Sequence, residues 1–286
     1  MDIVEIFKTF LLGIIQGLTE FLPVSSSGHL ILAQTFMGAG DAGESGSAML
    51  LEVILHVATG IAVLWVFRKD IAGIITGCVS KDTVVRKDSL TYSGWVILGT
   101  IPAAIVGIFF SDYIEVLFDT SKGTMPAYLT SFMLIVTAGL LFFSSWKKGL
   151  DAGEGDLTFL RVLAIGLIQA VAITPGISRS GSTIAMALLV GVSRTEAGRF
   201  SFMLALPAIF GAALLEARHV ESWRAVLSPG VIAGFVASLV VGVIALKLLL
   251  TFIQKGKLHY FGYYCAAAAV VSLVCLMLGF GGDNNG

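Results

Sequence analysis

Two short polar stretches interrupt otherwise apolar sequence, and both hold residue types suited to chemistry on a phosphate. The first is Gln16-Gly17-Leu18-Thr19-Glu20-Phe21-Leu22-Pro23-Val24-Ser25-Ser26-Ser27-Gly28-His29. The second is Thr174-Pro175-Gly176-Ile177-Ser178-Arg179-Ser180-Gly181-Ser182-Thr183. On a helix Gln16 and Glu20 are four apart and share a face. The serines after Pro23 stand where they cap a new helix N-terminus, with His29 in its first turn. Ser178-Arg179-Ser180-Gly181 opens a helix in the same way. A helix N-terminus offers unpaired N–H groups and the positive end of the helix dipole, which is what a phosphate needs. Two such ends plus Arg179, whose planar fork binds phosphate oxygens in pairs, make a diphosphate cradle.

The two stretches repeat each other. Gly13, Gln16, Ser25, Ser27 and Gly28 match Gly166, Gln169, Ser178, Ser180 and Gly181, every pair offset by 153 residues. In this register Ser26 corresponds to Arg179, so two meeting turns bring a hydroxyl against a guanidinium. The hydroxyl could attack phosphorus while the arginine stabilises equatorial charge, and His29 or Glu20 could carry the proton. Each residue also has a structural reading. A serine run can pack or bond back to its own helix. His29 can be an interfacial histidine, and Glu20 can snorkel or simply neutralise Arg179. Glu52 and His56 form another i,i+4 pair, which either lines the same cavity as a supporting layer or makes a local hydrogen bond. Arg194, Glu196 and Arg199 read as a solvated turn anchoring helix ends.

The elements that must position these groups follow from composition. Of 286 residues, 56% are hydrophobic and 13% charged, with mean hydropathy +0.92. Soluble domains carry about 25% charged residues. That excludes an ordinary soluble enzyme, and the hydrophobicity excludes disorder. A net charge of −1 leaves no basic face for nucleic acid. Cys78, Cys265 and Cys275 show no metal or redox spacing. The acidic N-terminus, Met1 to Glu5, lacks the positive region of a secretory signal, so insertion is expected through uncleaved spans.

Six apolar runs, 49–67, 92–110, 127–146, 200–217, 231–252 and 261–280, approach the 20 or so residues that cross a bilayer. The two interrupted stretches, 10–37 and 160–192, read as re-entrant helix pairs with halves too short to cross. A broken helix in hydrocarbon is tolerated only inside protein or beside a polar cavity. The expected fold is therefore an all-α polytopic membrane protein. It has two repeats, 1–148 and 149–286, each a re-entrant pair plus three spans, in one integrated domain. Three spans between the pairs make the repeat inverted. The excess of Lys and Arg in loops after the first, third and fifth spans places both termini outside.

At these residues the sequence resembles the bacitracin-resistance family of undecaprenyl-diphosphatases. Both stretches quoted above carry the resemblance, and the Leu51-Glu52-Val53 to Ala62 segment also fits. The resemblance implies an enzyme that hydrolyses undecaprenyl diphosphate to the monophosphate and inorganic phosphate. This recycles the lipid carrier of cell-wall synthesis at the outer face of the bacterial cytoplasmic membrane. By motif, the family's acidic pair falls on Gln16 and Glu20, its serine nucleophile on Ser26 and its histidine on His29. Its phosphate-binding arginine falls on Arg179, flanked by Ser178, Ser180 and Thr183, with Ser25 and Ser27 beside Ser26. Many members have Glu where this chain has Gln16, which leaves Glu20 as the sole carboxylate of the motif. The family also implies help from a divalent cation, Mg²⁺ or Ca²⁺, bridging diphosphate oxygens, with Glu20 the one protein ligand on offer and no organic cofactor. Direct attack by water, with Ser26 as a ligand only, fits the residues equally well. The partners implied are the polyprenyl diphosphate and the bilayer; a homodimer is left open. The rival function is a secondary transporter or flippase of an anionic lipid or small anion, because inverted repeats with broken helices are also the transporter design.

Overall fold

Backbone polar groups in hydrocarbon must be satisfied within their own segment, so long apolar runs are committed to helix. The computed structural model describes residues 3–37, 46–146, 156–219 and 223–281, and among these the regular elements are all helices. Lys147 and Lys148, used in the orientation argument, lie outside the described residues. The first half comprises α1 (Ile3–Phe21), α2 (Ser26–Met37), α3 (Gly46–Val66), α4 (Arg68–Cys78), α5 (Thr83–Phe109), α6 (Ser111–Leu117) and α7 (Met125–Trp146). The second comprises α8 (Phe159–Val171), α9 (Arg179–Leu189), α10 (Arg194–Glu216), α11 (Pro229–Gln254) and α12 (His259–Met277).

Five helices, α5, α7, α10, α11 and α12, are long and apolar enough to cross a membrane, and α3 with α4 brings the count to six among the described residues. The protein is a polytopic membrane protein. Polar caps set the helix starts. The Asp82 carboxylate accepts from the N–H groups of Val84 and Val85, Ser193 from Glu196, and Ser228 from Val231 ahead of Pro229.

Several boundaries differ from the sequence expectation. The span expected at 92 begins at Thr83, because the Asp82 cap starts the helix inside polar sequence that hydropathy alone leaves out. Residues 68–78, expected as loop, form α4, bent 73° from α3. α1 has 19 residues rather than about a dozen, whereas its counterpart α8 has 13. Its extra turns lie along α11. Arg194, Glu196 and Arg199 fall on the first two turns of α10 instead of in a solvated turn. The Arg199 guanidinium forms an ion pair with Asp70 of α4 at 2.9 Å and lies 4.8 Å from the Tyr92 ring of α5. That network ties three helices together at one end of the bundle.

Helix pairs close through small residues. A Cβ on Gly17 of α1 would stand 2.7 Å from the Ser238 carbonyl oxygen of α11, and one on Gly166 of α8 would stand 2.7 Å from that of Gly99 of α5. Gly13, the repeat counterpart of Gly166, meets the Gly234 carbonyl of α11. Without a hydrophobic force between helices in lipid, such close approach supplies the packing energy. One continuous core, including Phe21, Leu134, Ile165, Phe200 and Leu246, draws on both halves of the chain.

Candidate active site

The first interruption is built by proline and glycine chemistry. α1 ends at the fully buried Phe21, whose ring meets Phe202 edge-on at 5.9 Å. Pro23 cannot continue the helix. Ser25 then takes φ = 67°, a left-handed conformation that costs a non-glycine residue about 1–2 kcal/mol. Its side chain offsets that cost. Ser25 Oγ accepts from Gly28 N–H at 3.3 Å, capping α2, and from Gly176 N–H at 3.1 Å, binding the other turn.

The second interruption mirrors this. Gly176 has φ = 91°, and a Cβ there would stand 2.6 Å from the Thr130 carbonyl oxygen. Thr137 Oγ1 donates to the Gly176 carbonyl at 2.9 Å and accepts from Ser178 N–H at 3.1 Å. Ser178 Oγ accepts from Gly181 N–H at 3.2 Å and so caps α9. The two turns interlock backbone to backbone. A Cβ on Gly28 would lie 2.9 Å from Gly176 Cα, and one on Gly181 2.9 Å from Pro23 Cβ. Neither position has room for a side chain.

This interlocking places the first residues of α2 and α9, Ser26 and Arg179, at one junction. Arg179 Nη2 donates to Glu20 Oε1 at 2.5 Å, and Gln16 Nε2 donates to Glu20 Oε2 at 3.2 Å. The pair is largely buried, with side-chain exposures of 17% for Arg179 and 9% for Glu20. One contact of this pair uses one of the five N–H donors of the guanidinium, so the fork keeps donors for an anion. After the serine caps, the N–H groups of residues 26, 27, 179 and 180 have no intrahelical acceptor. Ser26 is half-buried, and among the described residues its hydroxyl has no hydrogen-bond partner.

His29 is held from both sides. Nδ1 is 2.8 Å from the Ser25 carbonyl oxygen and Nε2 is 2.8 Å from Tyr264 Oη, with the two rings stacked at 5.5 Å. A carbonyl only accepts, so in the neutral ring Nδ1 carries the proton and Tyr264 donates to Nε2.

Several residues expected to touch substrate have other work. Ser25 is buried and spends its hydroxyl on the two turns. Ser178 is a cap, and its hydroxyl lies 3.3 Å from that of Ser180. Thr183 Oγ1 donates to the Arg179 carbonyl at 2.8 Å and contacts Ser201 Oγ. These groups shape the helix that carries Arg179. Ser27 is exposed at the start of α2. Glu52 is exposed, and the His56 ring bonds the Glu52 backbone carbonyl at 3.1 Å rather than its carboxylate. Among the described residues Glu52 makes no hydrogen bond to Glu20, Ser26 or His29. Two participants, Tyr264 and Thr137, were not singled out by the sequence. Tyr264 sits in an apolar helix 235 residues from His29, and no local pattern marks it.

The described residues at the junction do not fit a resident metal. Among the described residues no three His, Cys, Asp or Glu side chains are grouped to hold an ion. Glu20, the one carboxylate at the junction among the described residues, is already held by Arg179 and Gln16.

Two interlocked helix N-termini beside a largely buried arginine, inside a bundle of apolar helices, define a polytopic membrane protein with a polar site within the bundle. The chain belongs to the family of bacitracin resistance protein BacA, whose family model matches residues 9–271. It is similar to proteins named undecaprenyl-diphosphatase. One from Korarchaeum cryptofilum is 37% identical over 278 residues, covering 95% of this chain and 100% of the relative. One from Halothermothrix orenii is 38% identical over 272 residues, 94% and 98% of the two chains. One from Methanobrevibacter smithii is 38% identical over 280 residues, 93% and 96%.

Proposed function

We propose that the protein hydrolyses undecaprenyl diphosphate to undecaprenyl phosphate and inorganic phosphate. The observation that carries this reading is the Arg179 guanidinium, largely buried at the start of α9 and paired with Glu20, on a turn interlocked with the one that begins α2 at the unbonded Ser26 hydroxyl. The names of the relatives supply the substrate.

The isoprenoid chain stays in lipid, anchored at about 0.8 kcal/mol per buried CH₂. Arg179 and the free N–H groups of α2 and α9 hold the terminal phosphate and take up charge that grows in the transition state. Ser26 Oγ attacks the terminal phosphorus. An O–P bond forms to the serine and the bridging P–O bond breaks, releasing the lipid monophosphate. The hydroxyl proton passes to Glu20, or to His29 Nε2 once the Tyr264 hydroxyl releases it. Water then cleaves the phosphoserine, giving inorganic phosphate and restoring the hydroxyl. A divalent cation, Mg²⁺ or Ca²⁺, would enter with the diphosphate as part of the substrate rather than be held by the protein.

Two features support an inverted duplication. The matched glycines 13 and 166 meet equivalent helices, and each turn receives the matched glycine, 28 or 181, of the other. The loop charges noted above support a site opening to the outer face of the cytoplasmic membrane. The test is phosphate release from undecaprenyl diphosphate by the purified protein in detergent, paired with vesicle transport of labelled lipid. Release is expected. Movement of intact label without release would make the protein a transporter.

A further inference from the structure

A groove of about 760 Å³ lies between α1, α11 and α12, beside the turn that follows α1 and lined there by Val24 and Tyr264. Its walls are apolar, with Leu18, Leu22, Leu248 and Phe252 prominent, and one end is rimmed by Lys255 and Lys257. At 100° per residue, Leu18 and Leu22 lie on the side of α1 turned away from Gln16 and Glu20. Tyr264, the hydroxyl partner of His29, also lines the groove.

The charge is arranged for a phosphate at the far end. Both lysines are exposed on the turn between α11 and α12, and Lys257 Nζ lies 6.0 Å from the Tyr260 ring. Among the described residues neither ammonium has a carboxylate within ion-pair distance. From Leu248 to Lys255 the groove follows α11 for roughly 10 Å at 1.5 Å per residue. A basic rim above an apolar trough of drug-ligand size matches a lipid with an anionic headgroup. The isoprenoid chain of the substrate fits less well. Its phosphates belong with Arg179, which pairs with Glu20 on the face of α1 turned away from the groove, and not with the lysines.

We propose that this groove binds one anionic phospholipid, its phosphate between Lys255 and Lys257 and an acyl chain along Leu22, Leu248 and Phe252 up to Tyr264. The bound chain backs the Tyr264 ring and holds it on His29, so anionic lipid raises turnover. This last consequence rests on the diphosphatase reading; the lipid site does not.

The experiment follows retention of dioleoyl-phosphatidylglycerol and dioleoyl-phosphatidylcholine by the full chain in detergent, using native mass spectrometry. The wild type is expected to hold the anionic lipid about thirtyfold more tightly. That corresponds to about 2 kcal/mol for two basic groups at 1.4 kcal/mol per factor of ten. Lys255→Gln/Lys257→Gln should lose the preference, and Leu248→Trp, which fills the trough, should lose retention at this site altogether. Equal retention of the two lipids by the wild type would mean annular lipid only and overturn the proposal. So would a preference that survives in the lysine variant, or a Leu248→Trp protein that keeps the lipid while its KM for undecaprenyl diphosphate rises. In vesicles, phosphate release by the wild type should be several-fold faster with phosphatidylglycerol than in phosphatidylcholine alone, and the lysine variant should not respond. No release in any lipid would refute the diphosphatase reading, while the retention data would still decide the groove.

Discussion

Glu20→Gln removes the carboxylate facing Arg179 and keeps its size, so it separates the structural and chemical work of that residue. Breaking a buried pair by removing one partner costs about 3–5 kcal/mol, because the other charge stays buried without compensation. Arg179 keeps 17% of its side chain exposed, which points to the lower end, about 3 kcal/mol. At about 3 °C per kcal/mol for a chain of this size, the thermal midpoint should fall by about 10 °C. An anion can replace the missing charge. A ligand at one hundred times its Kd returns about 2.7 kcal/mol, so saturating pyrophosphate should restore most of the loss. It should raise the wild-type midpoint less, since there Glu20 competes for the guanidinium. Removing both charges in Glu20→Gln/Arg179→Gln should recover part of the stability and abolish the pyrophosphate response. Melting of the detergent-solubilised wild type and the two variants followed by tryptophan fluorescence, each with and without pyrophosphate, reads all six states. If Glu20→Gln melts with the wild type and pyrophosphate moves both equally, the cradle reasoning is wrong.

The remaining expectations concern the nucleophile, the His29–Tyr264 hydrogen bond, the turn contact and the cation. Ser26→Ala should lower phosphate release by roughly 10⁴-fold or more if the hydroxyl is the nucleophile; near-normal turnover would assign the attack to water. Tyr264→Phe removes one hydrogen bond to Nε2, worth about 1 kcal/mol, so kcat should fall about fivefold with KM unchanged and with an altered pH–rate profile; a change in KM alone would contradict the assignment. Gly28→Ala puts a methyl 2.9 Å from Gly176 Cα and should lower stability by about 1–3 kcal/mol, whereas Gly139→Ala, which meets nothing within 4 Å, should not; equal melting of the two would show that the turns do not interlock. A chelator should slow phosphate release without changing the melting midpoint of the substrate-free protein, and a lowered midpoint would reveal a metal held by the chain itself.

How much was legible depended on whether the physics was local. Ser25 and Ser178 could be read as caps because a cap acts within three residues, and each bonds the N–H three positions on. The partner of Arg179 could be narrowed to Glu20 because a buried charge leaves few alternatives. The α5 start was missed because an Asp82 cap overrides hydropathy, and α4 was missed because its first turn, Arg68-Lys69-Asp70, is charged. Tyr264 and Thr137 were beyond reach for a different reason. Their partners lie 235 residues away in one case and about 40 in the other, and only the packing of α12 and α7 beside the turns brings them in. The same distinction separates the hydroxyls. Ser25, Ser26 and Ser27 are identical as residues, yet the left-handed φ of Ser25 turns its oxygen into the protein and leaves that of Ser26 unbonded at the helix start. The serine proposed as nucleophile is therefore set in place by the strained residue before it. A backbone change at Ser25 should damage turnover as surely as removing the Ser26 hydroxyl.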